Sequence, residues 1–364
     1  MGAVLRNIGL LPVYRFRDGY GSLRQNDATF DACATVLQAR GTALIFSEGQ
    51  CHPVPQLKPL LKGTARLALR AAAEGAPDLV VVPLGINHSA HGHFRGDVSY
   101  VFGTPIPAAE WLTTAEADTG AANRGLTDVI HAQLRSLVVH LDDLSMQDAL
   151  AEVTLMLPQG APGWRRGDGR FTADRQDWAE ALNDVQEGPA LAARVRSLRE
   201  ERLAAGLRRV ILPGSAAPSL FALLLVAPLA LLGLLLAWPD RLSAEAMVRR
   251  TVKDPQFTDS MRAVYGMVLY GITSLLLSIA GLLLAWRAGW SAWALVAVVL
   301  LLPFVAGWLT VVGFRWRDRW LAWTDQRRWD GFERAQPDQA TAMVGAWQDL
   351  ATRLDSTNTA KESI

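Results

Sequence analysis

The chain has 364 residues, enough for one soluble domain and a second region of a different kind. Lysine and arginine total 36 against 35 aspartate and glutamate, a balance without the basic footprint that nucleic-acid binding needs. Two cysteines, Cys33 and Cys51, are too few for a disulfide framework.

In chain order, "GLLPVYRFR" (9–17) predicts a strand carrying Arg15 and Arg17 at its end. Asn26 or Asp27 can cap a helix through Gln38, and Gly41 ends it with a residue that tolerates positive φ. "TALIF" (42–46) predicts a short buried strand that breaks at Ser47-Glu48-Gly49, and "KGTARLALRAAAEG" (62–75) predicts a helix closed by a glycine. "DLVVVPLGI" (78–86) and "DVSYVFG" (97–103) read as two further strands. Strands alternating with helices imply an α/β fold, a largely parallel sheet with covering helices. Helical patterns follow over 119–140 and 185–208, and the Gly-, Pro- and Arg-rich segment 157–176 reads as a loop or linker.

The later part is different. Residues 210–239, 263–286 and 288–314 contain no charged side chain, over 30, 24 and 27 residues. A spanning helix needs about 20 predominantly apolar residues. Trp286, Trp290, Trp308, Trp316 and Trp320 fall near the expected water boundaries, where amphipathic rings settle. The second and third stretches form a hairpin; the first, broken by Pro213, Pro218 and Pro228, is expected to enter and leave on one face or to span. Arg194, Arg196, Arg199, Arg202, Arg208 and Arg209 precede it, and Arg315, Arg317, Arg319, Arg327, Arg328 and Arg334 follow the hairpin. By the positive-inside rule the α/β domain and the tail both lie on the cytoplasmic side. The expected organisation is an α/β domain over 1–145, a helical linker region over 146–209, a helical membrane region over 210–314 and a tail over 315–364.

Three chemistries compete in the first part. Cys51 and His52 are adjacent, so on an extended chain their side chains project to opposite faces and make a poor nucleophile–base pair. His88, His91 and His93 cluster near Asp97, but at a spacing that no helix holds on one face, so no metal site is expected. The third is phosphate binding. The end of "TALIF" is where open α/β sheets take ligands. There Gly49 lets backbone N–H groups approach an anion, with Lys58, Lys62, Arg15 and Arg17 as candidate countercharges. A polar turn with basic neighbours also occurs in βα units that bind nothing, so residue chemistry alone leaves this choice open.

Four stretches in order resemble motifs of the glycerolipid acyltransferases. "GLLPVYRFRDG" (9–19) resembles their second motif, "IFSEGQCHPVPQLKPLLKGTARLAL" (45–69) the Glu-Gly turn of the third, "VVVPLGINH" (80–88) the fourth, and "VFGTPI" (101–106) the strand that follows. The spacing and the later apolar segments look most like the glycerol-3-phosphate and dihydroxyacetone-phosphate branch. The resemblance implies acyl transfer from a thioester of coenzyme A or acyl carrier protein to the hydroxyl of glycerol 3-phosphate, a related phosphate or a lysophospholipid, in phospholipid biosynthesis. It implies no cofactor beyond that cosubstrate, and membrane lipid as a partner. It maps acceptor-phosphate binding onto Arg15, Glu48 and Gly49, with Gln50 and Lys62 beside them. A carboxylate next to a phosphate repels it, so Glu48 is expected to orient the arginine and the turn.

Departures limit the likeness. Ser47 stands where proline is usual, Gln50-Cys51 where Thr-Arg or Gly-Ser is common, and Leu61 where a lysine is expected. The family's catalytic His-x4-Asp is absent: none of His52, His88, His91, His93, His131 and His140 has an aspartate five positions on. The chain as written is therefore expected to be inactive, either because it is a fragment lacking the preceding motif or because it is a non-catalytic, membrane-anchored lipid-phosphate-binding protein. A transporter is disfavoured, since the apolar stretches hold no internal charge.

Overall fold

A computed structural model describes residues 9–11, 13, 25–50, 54–88, 98–156, 170–208, 218–252 and 257–361. The chain divides into two compact units, Met1–Ser89 with Gly96–Gln147 and Thr172–Asn183, and Ala90–Arg95 with Asp148–Phe171 and Asp184–Ile364.

In the first unit, three of the described helices pack against one another. Helix α1 (Gln25–Gln38) closes with Arg40 in the left-handed region, φ 59°, and the Gly41 N–H bonded to the Val36 carbonyl at 2.8 Å. Positive φ thus falls on Arg40 and not on Gly41. Gly41 is required for a different reason: a Cβ there would press on Val36, 2.8 Å from its carbonyl oxygen. Helix α2 (Gly63–Ala73) is alanine-rich and buried on two faces. Leu67 and Ala71 meet Ala34 of α1, while Ala65, Ala68, Leu69 and Ala72 meet Ala122, Leu126 and Ile130 of α4 (Thr119–Leu137). Small side chains at helical spacing let three helix axes approach closely. Asp118 caps α4 by accepting from the Ala121 N–H, and α3 (Leu112–Ala117) precedes it.

The strands correct the expected sheet. Strand β2 (Leu84–His88) pairs antiparallel with β3 (Val98–Phe102), Leu84 opposite Phe102 and His88 opposite Val98. Strand β1 (Val80–Val81) pairs antiparallel with β4 (Ile106–Pro107). Among the described residues there is no parallel pair, so a largely parallel sheet with covering helices is not what this chain forms. The reason is the connection. A parallel crossover needs a dozen or more residues and usually a helix, whereas only 89–97 separate β2 from β3. "DLVVVPLGI" also splits in two, because Pro83 has no N–H to give a ladder. "TALIF" (42–46) is not hydrogen-bonded as a strand, and Leu44 and Phe46 are exposed. Of the first predicted strand, 9–11 and 13 are irregular and the remainder lies outside the described residues.

In the second unit, α5 (Gln147–Met156) and α7 (Gly188–Ala204) are joined by a buried ion pair: Arg202 Nε to Glu152 Oε1 at 2.7 Å and Nη2 to Oε2 at 3.0 Å. Arg202 Nη1 also donates to the carbonyls of Leu207 and Arg208, closing the end of α7. Helix α6 (Arg170–Asn183) belongs mainly to the first unit and occupies part of the expected 157–176 linker; 157–169 lie outside the described residues.

Among the described residues, three helices are long and apolar enough to cross a membrane: α8 (Leu220–Thr251), α9 (Thr258–Arg287) and α10 (Ala292–Ala335). The helix α8 continues through Pro228 and Pro239. It runs antiparallel to α10 where Leu223 accepts from Trp316 Nε1 and Gly233 lies against Leu309. A Cβ on Gly233 would overlap the Leu309 carbonyl, and one on Gly313 would sit 2.7 Å from the Ala230 carbonyl. Glycine at both positions permits this backbone approach, the usual device between membrane helices. Leu225, Met267, Leu284 and Phe304 point outward, as lipid contact requires. Helix α10 is a single rod of 44 residues, and α11 (Pro337–Lys361) buries Ala340, Met343, Trp347 and Leu350.

Candidate functional site

The Ser47-Glu48-Gly49 turn is held from three directions. The Gly49 N–H bonds to the Phe46 carbonyl at 3.0 Å, with Gly49 itself at φ 63°. That conformation suits glycine, and a Cβ would press on Leu61. The Leu61 N–H reaches back to the Ser47 carbonyl at 2.8 Å, closing 47–61 into a loop. Ser47 Oγ and Thr64 Oγ1 share a hydrogen bond of 2.7 Å, which ties the turn to the first turn of α2.

Glu48 faces into this loop. Its Oε2 accepts from the Lys58 main-chain N–H at 3.0 Å, so the carboxylate braces the segment that carries the candidate lysines. The Lys58 ammonium is held by Gln56 Oε1. Lys62 occupies the N-cap position of α2, and its own side chain makes no capping hydrogen bond. The N–H groups at a helix start carry partial positive charge and favour an anion. The Ser47 and Thr64 hydroxyls therefore stand together at the amino end of α2, next in the chain to Lys62, which is exposed. Gln50, which follows Gly49 in the chain, is exposed. Arg15 and Arg17 lie outside the described residues, as do Cys51, His52, His91, His93 and Asp97.

Behind the turn, residues 54–58 form a strap bonded to 140–142. The Leu141 N–H donates to the Pro55 carbonyl at 2.7 Å, Gln56 Nε2 to the Leu141 and Asp142 carbonyls, and the Leu57 N–H to His140 Nδ1 at 2.8 Å. Since Nδ1 accepts, neutral His140 carries its proton on Nε2, which donates to Asp142 Oδ1 at 3.2 Å. Arg135 of α4 holds Asp142 with two bonds of 2.7 and 2.9 Å. Asn183 of α6 donates to the His140 carbonyl and accepts from the Asp142 N–H. Sequence reasoning missed Ser47, Thr64 and His140. The hydroxyls were findable as polar groups flanking the Glu-Gly turn; His140 carried no local signal of this role, because the Leu57 N–H that it holds is 83 residues away.

A separate cleft lies between α1, α2, α3 and α4, lined by Asp27, Arg66, Arg70, Glu116 and Asn123 among others. Its Arg70 is already engaged by Asp31 at 2.7 Å and Glu74 at 3.0 Å.

No family model matches the chain, and no solved structure matches it. Among curated proteins, it is 34% identical over 88 residues to glycerol-3-phosphate O-acyltransferase 2 of Saccharomyces cerevisiae. The similar segment is 24% of this chain and spans only 12% of that protein's length.

Proposed function

We propose that this chain carries the acceptor-phosphate part of a glycerol-phosphate acyltransferase site on a membrane. The similarity to the yeast glycerol-3-phosphate O-acyltransferase is the observation that carries the reading. The turn supports it. Lys62 and the amino end of α2 supply positive potential, the Ser47 and Thr64 hydroxyls supply donors, and Glu48 is occupied with the Lys58 N–H. Arg15, Gly49 and Gln50 complete the proposed set, and the acyl donor is a coenzyme A or acyl carrier protein thioester with no further cofactor. The three apolar helices tether the chain to the membrane that receives the lipid product.

In the reaction the acceptor hydroxyl attacks the thioester carbonyl, the carbon–sulfur bond breaks, and the hydroxyl proton must pass to a base. No His-x4-Asp is present to take it. On its own the 364-residue chain therefore binds acceptor without turning it over; this absence also favours a second reading, a non-catalytic lipid-phosphate binder. The test is the purified chain in lipid nanodiscs. It should bind glycerol 3-phosphate, should not bind glycerol, and should form no lysophosphatidate from labelled acyl-CoA. Robust transfer would overturn the assignment of the missing base. Failure to bind glycerol 3-phosphate, dihydroxyacetone phosphate or a lysophospholipid would overturn the acceptor site.

A further inference from the structure

The strap 54–58 stands between the Glu48 turn and the rest of the first unit, and its side-chain fastenings are few. At one end the Lys58 N–H is held by Glu48. One residue earlier the Leu57 N–H is held by the imidazole of His140, a side chain buried to 8% exposure. These two N–H groups are consecutive, so the imidazole and the carboxylate grip adjacent peptide units from opposite sides of the strap. The bond to Leu57 exists only while Nδ1 has a free lone pair. A proton on Nδ1 turns that acceptor into a donor pointing at a donor, and the contact becomes repulsive.

Resting on the acceptor-site reading, we infer that His140 is a positioning residue for the Glu48-Gly49 turn and that its protonation unlatches the 54–58 strap.

The groups around the ring bear on when this happens. On its own loop His140 faces Asp142, which favours the charged ring; from α4 it faces Arg135 and His131, which disfavour it. From the strap it meets the Leu57 N–H, followed by Lys58, and from α6 the neutral amide of Asn183 bonds its carbonyl. Burial is the largest influence and pushes the imidazole below its ordinary pKa, with Asp142 offsetting part of this. The latch is therefore closed at neutral pH and opens on acidification. When it opens, the Lys58 N–H, the Glu48 brace and the Leu61 N–H to Ser47 bond lose the segment that registers them. The phosphate turn then loses its fixed shape.

The experiment is hydrogen–deuterium exchange on the full chain in nanodiscs, from pH 7.5 to 5, corrected for intrinsic exchange and followed in peptides covering 46–61. Binding of glycerol 3-phosphate is measured in parallel. Protection of these peptides should fall at least about fivefold on acidification, the effect of losing one buried hydrogen bond. His140→Asn places a neutral oxygen where Nδ1 stood, so it should keep protection at neutral pH and abolish the pH dependence. His140→Ala should lose protection at every pH, with the helices of the first unit still protected. The inference is overturned if the pH dependence survives in His140→Asn, or if His140→Ala leaves 46–61 as protected as the wild type. Exchange that behaves as expected without phosphate binding at any pH leaves the latch standing and removes the acceptor reading instead.

Discussion

Replacing Glu48 separates a brace from a ligand. Its carboxylate accepts one main-chain N–H, from Lys58 at 3.0 Å, in a half-buried setting. A hydrogen bond to a charged acceptor contributes about 1.5–3 kcal/mol, and partial access of water places this one at the lower end. Glu48→Ala should therefore raise the opening equilibrium of 54–61 about tenfold, since 1.4 kcal/mol is a factor of ten. Glu48→Gln retains a carbonyl oxygen that can accept the same N–H, as a neutral bond of about 0.5–1.5 kcal/mol, so its effect should stay below about fivefold. Hydrogen exchange at Lys58 and Leu61 reads both values. A carboxylate facing the bound phosphate would behave differently: its neutralisation would tighten glycerol 3-phosphate binding. Tighter binding in Glu48→Gln, or equal damage from Gln and Ala, would refute the bracing role.

Other expectations concern the rest of the molecule. Glu152→Ala leaves the Arg202 guanidinium buried without its carboxylate and should destabilise the second unit by about 3–5 kcal/mol, whereas Glu152→Leu combined with Arg202→Met should recover most of that loss; thermal unfolding in detergent measures both. Gly233→Leu cannot fit against the Leu309 carbonyl, so α8 must move away from α10, read as a loss of the cross-link between cysteines placed at Leu223 and Trp316. For His140, an unfolded imidazole protonates near pH 6.5, while the folded one resists until lower pH. Below about pH 6.5 the unfolded chain binds more protons, so stability falls on acidification. The first unit's Tm should drop across that range, and the drop should shrink in His140→Asn.

Much of the helical architecture was legible because it rests on local rules. The apolar runs announce α8, α9 and α10 by length alone, and the alanine pattern of 62–75 announces α2. The sheet was not legible, because pairing direction depends on the connection and not on the strand. "LVVVPLGI" looks like a buried parallel strand until the short 89–97 link makes β2 and β3 a hairpin. Arg40 shows a smaller failure of the same kind. The glycine after α1 was read as the left-handed residue, yet close contact with Val36 claims the glycine and leaves φ 59° to an arginine. At the candidate site, the Glu48-Gly49 turn stood out as a local pattern. The groups that fasten it, Thr64 and His140, are 17 and 83 residues in sequence from the Ser47 hydroxyl and the Leu57 N–H that they hold, a separation that a reading by spacing does not bridge.

Helix α10 has a mechanical consequence. Its 44 residues, at about 1.5 Å each, give a rod roughly 66 Å long, against a hydrocarbon layer of about 30 Å. Pro303 lies early in the rod, and no proline follows in the part that carries the stacked Trp316 and Trp320, centroids 5.4 Å apart, and Trp323. Bilayer and aqueous segments thus share one lever. A thinner bilayer that tilts the spanning half must swing the tryptophan-bearing half through the same angle, so lipid composition reaches the protein's polar end as leverage.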